Sequence, residues 1–110
     1  MAWKKLVTLE DCEYIMHGAI FRVKGVWPYE EFVDFMLVDM ADDRTRHALV
    51  VSSGVKAGLV LVRLPLDSGS PTGNTLSRKW LIENWGKWVY PQCSVQDVFF
   101  LPRYEAQDPE

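Results

Sequence analysis

The residues through which this 110-residue chain could do chemistry are two histidines, two cysteines, one serine–lysine pair and one pair of adjacent aspartates. His17, His47, Cys12 and Cys93 are candidate metal ligands. Structural zinc favours closely spaced pairs such as C-x-x-C or H-x-x-x-H, because one short turn then aims two ligands at one ion. No such pair exists; Cys12 and His17, five positions apart, come nearest. Ser53-Gly54-Val55-Lys56 matches S-x-x-K, in which a helical lysine activates a serine nucleophile. Its glycine and the apolar runs on either side point instead to a hairpin turn with an exposed lysine. Gly54 and Gly58, like Gly69 and Gly73, are spaced as in a phosphate loop, but neither pair leads into Gly-Lys-Ser/Thr. Asp42 and Asp43 are adjacent in an expected turn, whereas acid–base carboxylates must face each other across a cleft. No general base, nucleophile and oxyanion donor assemble into one site. The residues therefore predict no catalytic centre, no metal site and no cofactor, and the chain reads as a non-enzyme.

Charge patterning is more informative. Lys and Arg total twelve and are scattered, and the formal net charge is -3. Nucleic-acid binders concentrate basic residues on one patch, so a nucleic-acid partner is not expected. Glu30, Glu31, Asp34, Asp39, Asp42 and Asp43 fall within fourteen residues that contain no Lys or Arg. A run of this kind is either a solvated rim or a surface that attracts a basic protein. Trp80, Trp85 and Trp88 form a second feature. Trp85 and Trp88 share a helical stripe with Leu81, whereas Trp80 falls off it beside Lys79 and Lys87. Exposed tryptophan is enriched at binding hot spots. The candidate partner-binding residues are thus the six acids and Trp80.

The elements that must position these residues belong to one domain, 1–110. The stretch Leu6 to Glu13 is ambiguous, with Thr8 a candidate N-cap for a helical turn. Ala19 to Lys24 alternates as a strand, with Ala19, Phe21 and Val23 on one face. Phe32 to Asp39 is a strand apolar on both faces. His47 to Ser52 and Leu59 to Leu64 are strands joined by a glycine-bearing hairpin loop, and Pro65 ends the second. Asp67 to Asn74 reads as a surface loop. Leu76 to Trp88 is the one substantial helix, capped by Thr75 or Ser77 and stopped by Pro91. Val95 to Leu101 is the last strand. The expected fold is α+β: a largely antiparallel sheet of about five strands packed by one main helix in the C-terminal half. One helix covers only one face of such a sheet. Sheet curvature, the N-terminal segment, a second subunit or another partner must cover the other.

No apolar run is long enough to span a bilayer, and the N-terminus lacks a signal-peptide apolar stretch. Two distant cysteines read as free thiols of a cytoplasmic protein, although the sequence leaves a bridge between them open.

The segment Leu76-Ser77-Arg78-Lys79-Trp80-Leu81-Ile82-Glu83-Asn84-Trp85-Gly86-Lys87-Trp88-Val89-Tyr90-Pro91 continues to Cys93 and Val95-Gln96-Asp97-Val98. It resembles the family of bacterial immunity proteins numbered forty-five. Gly18-Ala19-Ile20-Phe21-Arg22 and Lys56-Ala57-Gly58-Leu59-Val60-Leu61-Val62-Arg63-Leu64-Pro65 are similar to it too. The resemblance implies an immunity protein of a polymorphic toxin system. Such a protein is encoded beside its cognate toxin and protects the producer by binding it. The family supplies no catalytic residues to carry over. A basic nuclease-type toxin would suit an acidic partner. Two other readings stand beside this one. The first is a small-molecule or anion-binding domain, with Arg22 and Arg63 clamping a ligand in a pocket between helix and sheet. The second is a module that dimerises through the uncovered sheet face.

Overall fold

Alternation along the strands decides which side chains the helix covers. The computed structural model describes residues 3–9, 14–40, 46–71, 74–105 and 109. Among them the strands are β1 (Lys4–Lys5), β2 (Tyr14–Ile15), β3 (Ile20–Lys24), β4 (Phe32–Asp39), β5 (His47–Val51), β6 (Val60–Arg63), β7 (Leu76–Ser77) and β8 (Phe99–Leu101). The main sheet has the order β1-β8-β3-β4-β5-β6, with every pairing antiparallel. β2 and β7 pair separately. The fold is therefore α+β, as expected, with six strands in the main sheet where about five were anticipated. The extra strand is β1, two lysines whose polar character gives no strand signal and which are recruited by pairing with Phe99 and Phe100.

Phe100, Phe21, Phe35 and Val51 lie in register across four neighbouring strands. Val23, Val33, Leu37 and Leu49 share their face, and all eight are buried. Side chains of the same sign of alternation must point the same way, so one row of apolar residues becomes one wall of the core.

The helix α1 (Arg78–Asn84) forms the other wall. Ser77 is its N-cap, its hydroxyl accepting from the Trp80 N–H at 3.2 Å. Leu76 and Ser77 are strand rather than helix, so α1 begins two residues later than the expected Leu76 start. At its other end the chain widens into a π turn, Trp85–Val89. The Tyr90 N–H donates to the Trp85 carbonyl at 3.1 Å, five residues back. A π turn inserts one extra residue per turn. Val89, four residues after Trp85 at the edge of the expected stripe, is buried, whereas Trp88 is half-buried and packs against the core from outside it. Leu81 and Trp85 face the sheet as expected, with the Trp85 ring 6.1 Å from Phe21. The Trp85 indole N–H meets no acceptor among the described residues.

Three other expectations are corrected. Residues Leu6–Thr8 form a 3-10 turn, with Thr8 at its end and Leu9 extended after it, and Glu10 to Glu13 of the ambiguous stretch lie outside the described residues; the Thr8 hydroxyl turns back to the Lys5 carbonyl at 3.2 Å. Arg78 donates to the Leu6 and Val7 carbonyls at 3.0 and 2.8 Å, tying this turn to α1. The last strand is shorter than Val95 to Leu101. Val95–Asp97 is a 3-10 turn opened by Ser94, whose hydroxyl accepts from the Gln96 N–H. Part of the 67–74 loop is tucked in: Ser68 is buried and donates to the Pro65 carbonyl at 2.6 Å.

Trp85→Ala removes the largest buried side chain at the helix–sheet contact. It is expected to cost about 3–5 kcal/mol, because the sheet cannot collapse into the space left behind. Urea unfolding with an unchanged m-value is the check.

Candidate functional site

The described members of the acidic run, Glu30, Glu31, Asp34 and Asp39, do not share one face. The run lies along β4, and eight residues at about 3.3 Å each place Asp39 roughly 25 Å from Glu31. Alternation then divides its members between faces. Asp34 points to the face away from α1, where Arg22 donates to both its oxygens at 2.8 and 3.0 Å. Asp39 ends the strand, exposed and 3.6 Å from Arg46. Glu31 is exposed, and its carbonyl closes a turn with the Gly25 N–H at 2.8 Å. Glu30 is exposed and accepts from the Val55 N–H at 3.0 Å. That bond, followed by Glu30's own N–H, holds its carboxyl below the usual carboxylate range. Asp42 and Asp43 lie outside the described residues. Trp80 is half-buried, 6.0 Å from the Trp88 ring on the helix. It and Asp34 are on opposite sides of the sheet, so a partner touching both would have to wrap around the molecule.

Among the described residues the face away from α1 carries no helix. Ile20, Met36 and Leu101 meet there around the Arg22–Asp34 pair. A groove of about 440 Å³ runs over them, bordered by Trp3, Tyr104 and Glu105. An adjoining hollow of about 260 Å³ is lined by Trp3, Arg22, Phe32 and Phe99. Trp3 stacks on the Arg22 guanidinium at 4.3 Å. The N-terminal segment thus covers part of the face, one of the covers the sequence allowed.

The pocket imagined between helix and sheet is occupied by Phe21, Leu81, Trp85 and Tyr90 themselves. Arg22 is already bound to Asp34, and Arg63 lies on β6, three strands away and in a different row of the register. They do not converge on a common ligand. Ser53 is likewise spent structurally: its hydroxyl accepts from the Asp34 N–H at 2.9 Å. Gly54 and Gly58 adopt positive φ in the hairpin, the turn expected of that S-x-x-K match. Cys93 is a buried free thiol, and Cys12 lies outside the described residues. Among the described residues no three His, Cys, Asp or Glu side chains gather as a metal site, and no helix is long and apolar enough to cross a membrane.

One cluster had no signal in the sequence. His17 and His47, thirty residues apart, bring Nε2 and Nδ1 within 3.1 Å. His47 starts β5 and is 1% exposed. His17 sits in the turn before β3, which β4 holds next to β5. At this distance one ring donates and the other accepts, which requires at least one of the two to be neutral. Burial pushes the His47 pKa down, and the neighbouring His17 pushes the same way; Asp39 and the Thr75 backbone oppose. Below its ordinary value of about 6.5 the unfolded histidine takes up a proton that the folded one resists, so stability falls as pH falls. Melting temperature is expected to drop between pH 7.5 and 5.5, and the drop should shrink in His47→Gln. An equal drop in the variant would remove His47 as its cause.

The Arg22–Asp34 pair generates a second expectation. Its Arg side chain is 39% exposed and Asp34 16%, so solvent screens part of the attraction. Asp34→Ala should cost about 1 kcal/mol in chemical unfolding, well short of a fully buried pair. Addition of salt should narrow the gap to the native chain.

No curated protein and no solved structure matches this chain. The family model described as immunity protein 45 does match, over residues 6–100, and the chain belongs to that family.

Proposed function

We propose that this protein binds a cognate bacterial toxin in the cytoplasm and neutralises it by occupancy rather than by turnover, and that the toxin is a basic, nuclease-type effector. Membership in the immunity protein 45 family, with a match spanning most of the chain, is the observation that carries the reading. The net charge of -3 supports the basic partner. A negative field accelerates encounter with a positive surface and is screened by salt. In this reading Asp34 and Asp39, each already beside an arginine, add little to direct contact. Asp39, Asp42 and Asp43 contribute mainly to steering, and Glu30 and Glu31 are the members of the run available to touch a partner. Trp80 would serve a separate contact, if the toxin reaches the helix side. The open sheet face leaves room for a second copy of the chain, and sedimentation of the free protein distinguishes monomer from dimer.

Co-expression with the product of the adjacent gene is the test. Co-purification and rescue of growth are expected, with an association rate that falls steeply as salt rises. Absence of both complex and rescue would refute the toxin-binding reading. A salt-independent rate would refute its basic-toxin part alone.

A further inference from the structure

The fold leaves one large aromatic side chain without a structural task. Trp27 is 91% exposed, in the turn 25–31 between β3 and β4. Val26 and Phe32 beside it are 46% and 52% exposed, and Val55, on the β5–β6 hairpin, is 94% exposed. The inner side of the same turn is firmly held. The Gly25 N–H donates to the Glu31 carbonyl at 2.8 Å, and the Tyr29 N–H to Val26 at 2.9 Å. The Val26 N–H donates to the hydroxyl of Tyr90, a buried residue, at 3.0 Å. The Tyr29 ring packs edge-on against Phe35 and Tyr90. Glu30 fastens the hairpin to the turn through the Val55 N–H, over a glycine whose Cβ would collide with its carboxylate.

Charge points to what this surface meets. Asp34 and Asp39 are offset by Arg22 and Arg46. Glu30 and Glu31 form no ion pair among the described residues. The described acids of the run that lack an arginine partner therefore sit on the turn that displays Trp27. Lys24 precedes the turn, and Lys56 is near enough to act on Glu30, which leaves Glu31 as the exposed carboxylate open to a partner's cation.

We propose that this turn and the hairpin tip are the docking surface for the toxin. Trp27 enters an apolar socket on a basic partner, and a lysine or arginine at the rim of that socket meets Glu31. This rests on the toxin-binding reading above. A tryptophan offers large apolar area with few torsions to freeze, and a turn held in place before binding loses little freedom on docking. A second copy of the chain fits less well, because like surfaces would bring like carboxylates together.

Binding of the full chain to the toxin from the adjacent gene, measured by titration calorimetry, is the test. Trp27→Ala should weaken the complex by about tenfold or more, with an unchanged melting temperature because the side chain packs on nothing. Glu31→Lys should weaken it too, most strongly at low salt. Tyr104→Ala, on the open sheet face, should bind like the native chain. Hydrogen exchange should show new protection at 26–31 in the complex. Native-like binding by Trp27→Ala, or loss confined to Tyr104→Ala, overturns the proposal while leaving toxin binding intact. Failure of the native chain to bind overturns the underlying reading, and the proposal with it.

Discussion

Burial of the Trp85 indole against Phe21 is the contact on which the rest of the molecule depends. A buried tryptophan removes on the order of 150–250 Å² from water, worth about 4–6 kcal/mol as an upper bound. It sits where α1 widens into the π turn, and that turn delivers Tyr90 to the sheet. Tyr90 packs 5.7 Å from Phe35 and accepts the Val26 N–H. Core packing and the conformation of the β3–β4 turn are thus linked through two residues. A surface loop gains order from the core without being buried in it.

The two faces of the sheet solve the same problem differently. On one, a helix supplies apolar cover. On the other, a bidentate ion pair sits among Ile20, Met36 and Leu101, capped by Trp3. Such a pair contributes little stability while partly exposed. It does interrupt a face that would otherwise be a continuous apolar patch, and it joins β3 to β4 at the register pair Arg22 and Asp34.

Charge in the acidic run is redistributed by geometry. The four described acids, which look like one feature in a linear chain, become separate local situations once a strand spaces them out and turns alternate ones over. Two are compensated by arginines from other strands or loops, and two remain beside Trp27. An electrostatic surface is defined by which cations arrive from elsewhere in the chain, and linear spacing carries no such information.

Local pattern by itself determined β4, the β5–β6 hairpin, a helix cap at Thr75 or Ser77 and the wall of apolar residues on β3, because alternation, capping and turn chemistry act over a few neighbouring residues. The family was also legible, in the tryptophan-rich segment. Tertiary structure decided what depends on distant partners. β1 exists because Phe99 and Phe100 offer it an edge. Beyond Trp85 the helix widens into a π turn, in which Trp88 is only half-buried. His17 met His47 only through the order of β3, β4 and β5. Trp80 had looked the tryptophan to watch. Folding half-buried Trp80 against the helix side and left Trp27 in water, because exposure is set by what packs over a residue, and that cover comes from elsewhere in the chain.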